Sequence, residues 1–179
     1  MHMLRYHIRR FTRREDATAT MEFVITFPII LILFIAVFET SMIMTRQVMM
    51  ERTLDQAVRI LRLANGLTVN AADIRTAICD NTSLLPDCEN LLTIDLREID
   101  RMTYAVPNDR EMCIERADAT ATVNNTFNPG ADNRLMLVRA CMIVDRILPF
   151  SGYGLNLTRD DSGGLHMMAA SIFVNEPDD

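Results

Sequence analysis

The sequence predicts an α+β protein, in which a long N-terminal membrane-spanning helix continues as a spine and is followed by a small antiparallel sheet domain. Two features predict the helix: residues 23–44 carry a single charge, Glu39, and an amphipathic helical pattern follows them. A third feature predicts the sheet, because several later segments alternate apolar and polar residues or are short and strongly apolar.

The apolar run is long enough to cross a bilayer. Its 22 residues, 23–44, reach about 33 Å as a helix, close to the thickness of the hydrocarbon core. A secretory signal peptide is the alternative, since five arginines precede the run. The run exceeds the usual apolar region of a signal, however, and no small-x-small site closes it, which favours a retained anchor. Pro28 lies inside the run and predicts a kink, because proline removes a helical hydrogen bond.

The helix is predicted to continue beyond the membrane. After residue 44, apolar residues recur at helical spacing and most charged residues lie away from them. Residues 19–64 therefore form one predicted helix of about 69 Å, half of it in lipid and half supporting the soluble domain. Asn65-Gly66 is a suitable stop signal. The apolar stripe consists of Leu54, Ala57, Val58, Leu61 and Ala64.

The remainder predicts one domain, residues 65–179. Asn70-Ala-Ala-Asp73 resembles a capping box and opens a short predicted helix over 71–79, which a loop over 80–90 follows. A turn cluster of Asn, Pro, Gly and Asp precedes the most apolar later segment. About four strands are expected, at residues 92–96, 119–123, 135–144 and 164–174.

Charge and cysteine content indicate the partners and the compartment. The net charge is −6, but residues 1–17 carry +3 and the remainder −9, which argues against nucleic acid as a partner. All four cysteines lie beyond the apolar run, as expected in an oxidising periplasm with a cytoplasmic N-terminus. They permit three pairings, of which we favour Cys79–Cys88 with Cys113–Cys141. Reduced cysteines fit an inverted topology, whereas zinc ligation is disfavoured because no C-x2-C occurs.

The most informative polar residue is Glu22, a carboxylate at the edge of the apolar run. An ionised carboxylate in lipid needs a cation, a proton or a place among the headgroups. Cleavage after Ala17 would make Thr18 a new N-terminus, and its free amine would lie close to Glu22. Residues 1–17 then read as a basic leader and residues 18–64 as the long helix.

A basic leader, a small residue, four further residues, Glu22-Phe and a long apolar helix resemble the processing site of type IV prepilins. More narrowly, Ala19-Thr-Met-Glu-Phe-Val-Ile-Thr-Phe-Pro28 with Phe38-Glu39 resembles the TadE-like proteins of tight-adherence (Flp) pilus systems. Ala17 departs from the glycine that prepilins usually carry.

The resemblance implies a pilin-like fold and a minor pilin or pseudopilin role in assembling an adhesive type IVb pilus. It implies cleavage by a prepilin peptidase and pairing of Glu22 with an N-terminal amine. The implied location is the bacterial inner membrane, single-pass, in contact with lipid, other pilin-type subunits and the assembly machinery, and in the pilus itself if the protein is incorporated. The alternative is an uncleaved single-span scaffold of an envelope or secretion complex.

Enzymatic motifs do not occur in the sequence. The Gly-x-Ser-x-Gly elbow, the P-loop, Gly-x-Gly-x-x-Gly and His-Glu-x-x-His are all missing. His166 alternates with apolar residues and is better explained as a packed or rim side chain than as a general base. We therefore expect no enzyme activity, no cofactor and no metal.

Overall fold

The computed structural model describes residues 15–63, 69–106, 112–114, 116, 125–146, 159 and 162–177. The described elements are α1 (Glu15–Leu63), α2 (Ala71–Asp80), α3 (Cys88–Leu91), β1 (Thr93–Glu98), β2 (Leu135–Val144) and β3 (Leu165–Val174). A long apolar helix followed by an antiparallel sheet confirms the predicted α+β class. The chain divides into two compact units, Met1–Ser41 and Met42–Asp179, and α1 contributes to both.

Helix α1 is continuous from Glu15 to Leu63, with Pro28 inside it. Its second half buries the predicted stripe, with Leu54 and Ala57 both 1% exposed. Met50, one turn earlier, is completely buried and extends the stripe toward the N-terminus. Arg62 lies in the last turn, where a cation interacts favourably with the helix dipole. The predicted stop at Asn65-Gly66 lies outside the described residues, as does Ala64 of the predicted stripe.

Helix α2 begins at the capping box that the sequence predicts. Asn70 Oδ1 accepts hydrogen bonds from the backbone N–H groups of Ala72 (2.8 Å) and Asp73 (3.0 Å). Asp73 Oδ2 accepts in return from the Asn70 N–H at 3.0 Å. The box satisfies donors that the first turn leaves unpaired, and the helix buries Ile74 and Ile78 against the core.

The loop predicted over 80–90 is wrong at its end, because Cys88–Leu91 form the short helix α3. Four residues are too few for a recognisable helical period. Asp87 precedes them with φ of 50°, and a disulfide ties Cys88 to Cys79 near the end of α2. These non-local features, rather than helix propensity, position the turn.

The sheet has the order β1-β2-β3 and both pairs are antiparallel. The strand predicted over 135–144 has the observed bounds, and those predicted over 92–96 and 164–174 differ from β1 and β3 by one or two residues. Thr93 lies opposite Cys141 on one side of β2, and Ala140 lies opposite Ala169 on the other. The strand predicted over 119–123 lies outside the described residues.

The main core lies between the sheet and the helices of the second unit. Side chains alternate across a strand, so the even-numbered residues of β2 face this core. The odd-numbered Cys141 and Ile143 are also buried, but in a second cluster with Met112 and Cys113. Because both faces of β2 are covered, this strand is almost entirely apolar and shows little alternation.

Candidate functional site

The membrane-facing part of α1 exposes apolar side chains in all directions. Among the described residues, one helix, Ala19–Arg62, is long and apolar enough to cross a membrane; its most apolar window has a mean hydropathy of 2.6 and no buried residue. The following side chains are each at least 42% exposed: Phe23, Val24, Ile25, Phe27, Ile29, Ile30, Leu31, Ile32, Leu33, Phe34, Val37 and Phe38. A surface of this kind needs lipid or other apolar helices around it. One candidate span among the described residues indicates a single-pass membrane protein.

Glu22 is exposed at the N-terminal edge of this surface. Within the part of the chain that the structure describes, no group pairs with its carboxylate. Its backbone carbonyl accepts a 2.7 Å hydrogen bond from Thr26 Oγ1, one turn later. The threonine hydroxyl is thereby satisfied inside the helix, and the exposed Glu22 carboxylate can bind a partner outside it.

Aromatic side chains follow Glu22 directly. The rings of Phe23 and Phe27 stack with their centroids 5.1 Å apart, as residues four apart on one helical face can. Pro28 comes next and lies inside the helix, where its missing N–H leaves the carbonyl of Val24 without the usual helical donor. The kink predicted at Pro28 remains a prediction.

Ala17 and Thr18, the predicted processing site, lie in the first turn of α1, which begins at Glu15. The described helix therefore runs through the predicted cleavage point.

Glu39 lies in α1 and is not among the residues predicted to be functional. It is 6% exposed, and among the described residues no hydrogen-bond partner reaches its Oε1 atom. Thr40 beside it is satisfied, because its hydroxyl donates to the Ala36 carbonyl at 2.9 Å. The available signal was that Glu39 is the only charge in the apolar run, since ionisable residues inside membrane segments are generally functional.

The two disulfides lie in the second unit. Cys79 is joined to Cys88, and Cys113 to Cys141, which is the pairing favoured from the sequence. The first connects the end of α2 to the start of α3. The second attaches the segment around residue 113 to the face of β2 that lies opposite the main core. Thr93 Oγ1 supports that attachment by donating to the Met112 carbonyl at 2.6 Å.

A buried ion cluster lies on the same face of the sheet. Asp95 has a fully buried side chain and accepts from Arg97 Nη2 and Arg139 Nη2, each at 2.6 Å. The Thr126 N–H also donates to it at 3.0 Å. Burial is the largest single influence and raises the pKa of Asp95, but these hydrogen bonds together outweigh it, so the pKa lies below the usual value. The cluster therefore holds an ionised carboxylate inside the domain.

A second ion pair lies where β2 ends. Arg116 donates to both carboxylate oxygens of Asp145, at 2.9 and 2.7 Å, and these hydrogen bonds lower the pKa of Asp145. The Asp145 backbone carbonyl accepts from Arg46 of α1 at 3.2 Å. The pair thus helps to attach α1 to the sheet. No group of three or more His, Cys, Asp or Glu suited to a metal occurs among the residues described.

A protein-family model described as TadE-like protein matches residues 17–59. The match begins at Ala17 and contains Glu22, Pro28 and Glu39, so it covers the segment on which the resemblance was based and confirms it there. No curated protein and no solved structure matches the chain. The match covers 43 of the 179 residues, so it shows similarity to TadE-like proteins in the long helix and leaves residues 60–179 unmatched.

Proposed function

We propose that this protein is a minor pilin or pseudopilin that acts in assembling a tight-adherence type IVb pilus. The family match over residues 17–59 carries the proposal, because it coincides with an apolar helix whose surface is exposed in all directions. In the membrane, this helix packs laterally against other pilin-type helices. Van der Waals contacts drive such packing, because lipid is as apolar as the side chains and burial alone provides little preference.

Cleavage by a prepilin peptidase between Ala17 and Thr18 would release the basic leader and create an amine four residues before Glu22. The exposed Glu22 carboxylate then pairs with an N-terminal amine, its own or that of a neighbouring subunit. Pairing offsets the cost of holding a charge beside hydrocarbon, and it fixes the depth at which neighbouring helices meet.

The domain that follows the helix lies in the periplasm in this proposal. Two disulfides support an oxidising compartment, since such bonds rarely persist in the cytosol. The basic leader then lies on the cytoplasmic side of the inner membrane, where the peptidase acts.

The intact mass of the protein extracted from membranes tests the proposal. Loss of residues 1–17 supports it, with Thr18 found at the N-terminus. Retention of the arginine-rich segment would instead favour the uncleaved scaffold and refute the pilin assignment.

A substitution tests the role of Glu22 separately. Glu22→Gln keeps the size of the side chain but removes its charge, so we expect normal cleavage and membrane insertion with pilus assembly reduced at least tenfold, about 1.4 kcal/mol per subunit contact. Met21→Leu is the matched control, because it changes an exposed neighbour without changing charge. Pilus counts by electron microscopy provide the measurement, and wild-type numbers with Glu22→Gln would exclude the pairing role.

A further inference from the structure

One edge of the sheet is open over most of its length among the described residues. Strand β3 pairs with β2, and on its other side the described residues contribute a single isolated antiparallel bridge, between Arg159 and Leu165 at the start of the strand. From Met168 onward no described strand pairs with that side. Backbone groups in an antiparallel strand point alternately to the two sides. The Asn175 N–H donates to the Arg134 carbonyl, which places odd-numbered residues on the β2 side. Even-numbered residues therefore direct their N–H and C=O groups outward, and Met168 shows this, because its carbonyl accepts from Gln47 Nε2 of α1 at 2.9 Å.

At the opposite edge of the sheet, the outer side of β1 forms hydrogen bonds with another segment of the same chain. On β1, the Leu96 N–H donates to the Thr126 carbonyl at 2.7 Å, and the Leu96 carbonyl accepts from the Asn128 N–H at 2.9 Å. For the outward groups of Ala170 and Ile172 on β3, no hydrogen bond occurs among the residues that are described. Within the described part of the chain, the outer side of β1 is thus bonded at Leu96, whereas the outward groups of Ala170 and Ile172 have no backbone partner.

Strand β3 also lacks the features that normally prevent edge pairing. Edge strands are usually short or carry charges, prolines or bulges. Over ten residues, β3 contains no Asp, Glu, Lys, Arg or Pro, and its pairing with β2 is unbroken. Three of the residues whose backbone groups point outward have large apolar side chains that are exposed to solvent: Met168 is 43%, Ile172 55% and Val174 44% exposed. An edge of this kind either aggregates or has a partner.

A groove runs along this edge. Its two walls are β3 and residues 48–62 of α1, which run in the same direction. The groove consists of two adjoining cavities of about 510 and 480 Å³ that share Asp55 and Ser171 as lining residues. Together the two cavities border β3 from Met168 to Val174.

The charges of the helix wall change sign along the groove. Glu51, Asp55 and Arg52 line the part beside Met168 and give it a net charge of −1, whereas Arg59 and Arg62 with Asp55 line the part toward Val174 and give it +1. Arg62 also pairs with Glu176 at 3.2 Å. A complementary occupant carries a basic residue at the first end and an acidic residue at the second, with apolar residues between them.

A second copy of this chain does not fit as the occupant. Two β3 edges paired about a two-fold axis run antiparallel, which places the residue-42 ends of the two domains on opposite sides. The apolar run, residues 23–44, reaches the domain at that end in each copy, so a single bilayer could not anchor both. The β1 edge of a second copy is already occupied at Leu96.

We propose that the free edge of β3 binds an extended segment of a different protein, which adds to the sheet as a strand and lies in the groove beside α1. Main-chain hydrogen bonds to the even-numbered residues provide the affinity, and the charges at the two ends determine which segment binds. This contact lies on the domain and does not depend on how the membrane helices pack.

Photo-crosslinking of the full-length protein in its native membrane tests the proposal. A benzoylphenylalanine at Ile172 is expected to give an adduct with a different protein, and mass spectrometry should map the attachment to an extended segment with the predicted charges. The same probe at Met102, which is 92% exposed and lies away from the edge, is the control and should not give that adduct.

The second arm removes the backbone donor. Ala170→Pro eliminates an N–H that faces outward and is not used in pairing with β2, so the adduct should fall about fivefold or more, as expected for the loss of one hydrogen bond. Far-UV circular dichroism and retained disulfides show that the variant has folded. An adduct with a second copy, an equal adduct from Met102, or a full yield with folded Ala170→Pro would each overturn the proposal. Absence of an Ile172 adduct would overturn it as well.

Discussion

Asp95 offers the sharpest test of how the domain is stabilised. Its carboxylate is fully buried between Arg97 and Arg139, and the Arg139 side chain is only 7% exposed. Asp95→Asn keeps the shape and one acceptor oxygen but removes the charge. A buried guanidinium then loses its anion, and removing one partner of a buried pair costs about 3–5 kcal/mol. Because the asparagine oxygen still accepts a hydrogen bond, we expect the free energy of unfolding to fall by about 3 kcal/mol, the lower end of that range.

Amide hydrogen exchange of β2 in the full-length protein measures this loss. A decrease of about 3 kcal/mol accelerates exchange through global opening roughly 100-fold. Glu98→Gln is the matched control on the same strand, because Glu98 forms an exposed pair with Arg134 at 3.0 Å that contributes less than about 1 kcal/mol. Equal exchange rates in the two variants would refute the reasoning.

The same carboxylate predicts an acid dependence. The pKa of Asp95 lies below its usual value of 3.8 in the folded protein, so the folded state favours the ionised form. Its contribution to the free energy of unfolding is complete above about pH 4, and it is lost as the pH falls through the lower pKa of the folded state. The thermal midpoint should therefore fall less between pH 5 and pH 2 in Asp95→Asn than in Glu98→Gln, because Asp95→Asn has already lost this carboxylate.

Two further substitutions test the packing. Leu54→Ala removes a core side chain that is 1% exposed and should lower the free energy of unfolding by about 2–5 kcal/mol. Ile60→Ala, at a site that is 49% exposed, is the control and should lower it much less. Similar losses from both variants would contradict burial of the predicted stripe. Gly130→Ala places a methyl group against Met136 Sδ at a φ of +74° and should cost more than Gly163→Ala, where φ is +84° and no atom lies within 4 Å. Backbone strain of about 1–3 kcal/mol is common to both, so their difference in thermal midpoint isolates the collision, and equal midpoints would show that Met136 moves aside.

Patterns of short range predicted the main elements well. The capping box at Asn70 determined where α2 begins, because its hydrogen bonds join residues only two or three apart. The apolar run of β2 gave the observed strand bounds. The short helix α3 was missed, since it depends on a disulfide and on the positive φ of Asp87, neither of which has a periodic signal.

The candidate site was predicted only in part. Glu22 and Pro28 could be selected from the sequence because a carboxylate and a proline are conspicuous beside an apolar run, and the family match includes both. Glu39 was visible as a charge, but its burial and its unpartnered oxygen were not. The state of a side chain depends on atoms distant in the sequence, which a single-residue signal does not specify.

By itself, the sequence determined that one long apolar helix precedes an α+β domain, because hydrophobic length and periodicity are properties of consecutive residues. It also carries the TadE-like resemblance, which the family match confirms over residues 17–59. Only the tertiary structure decided that Asp95 contacts Arg139 across the sheet, that the outer side of β1 is bonded at Leu96 and that, among the described residues, the outer side of β3 lacks a strand partner from Met168 onward. Strand order and register arise from contacts between residues 21 to 48 positions apart, and no local pattern encodes which backbone groups remain without a partner.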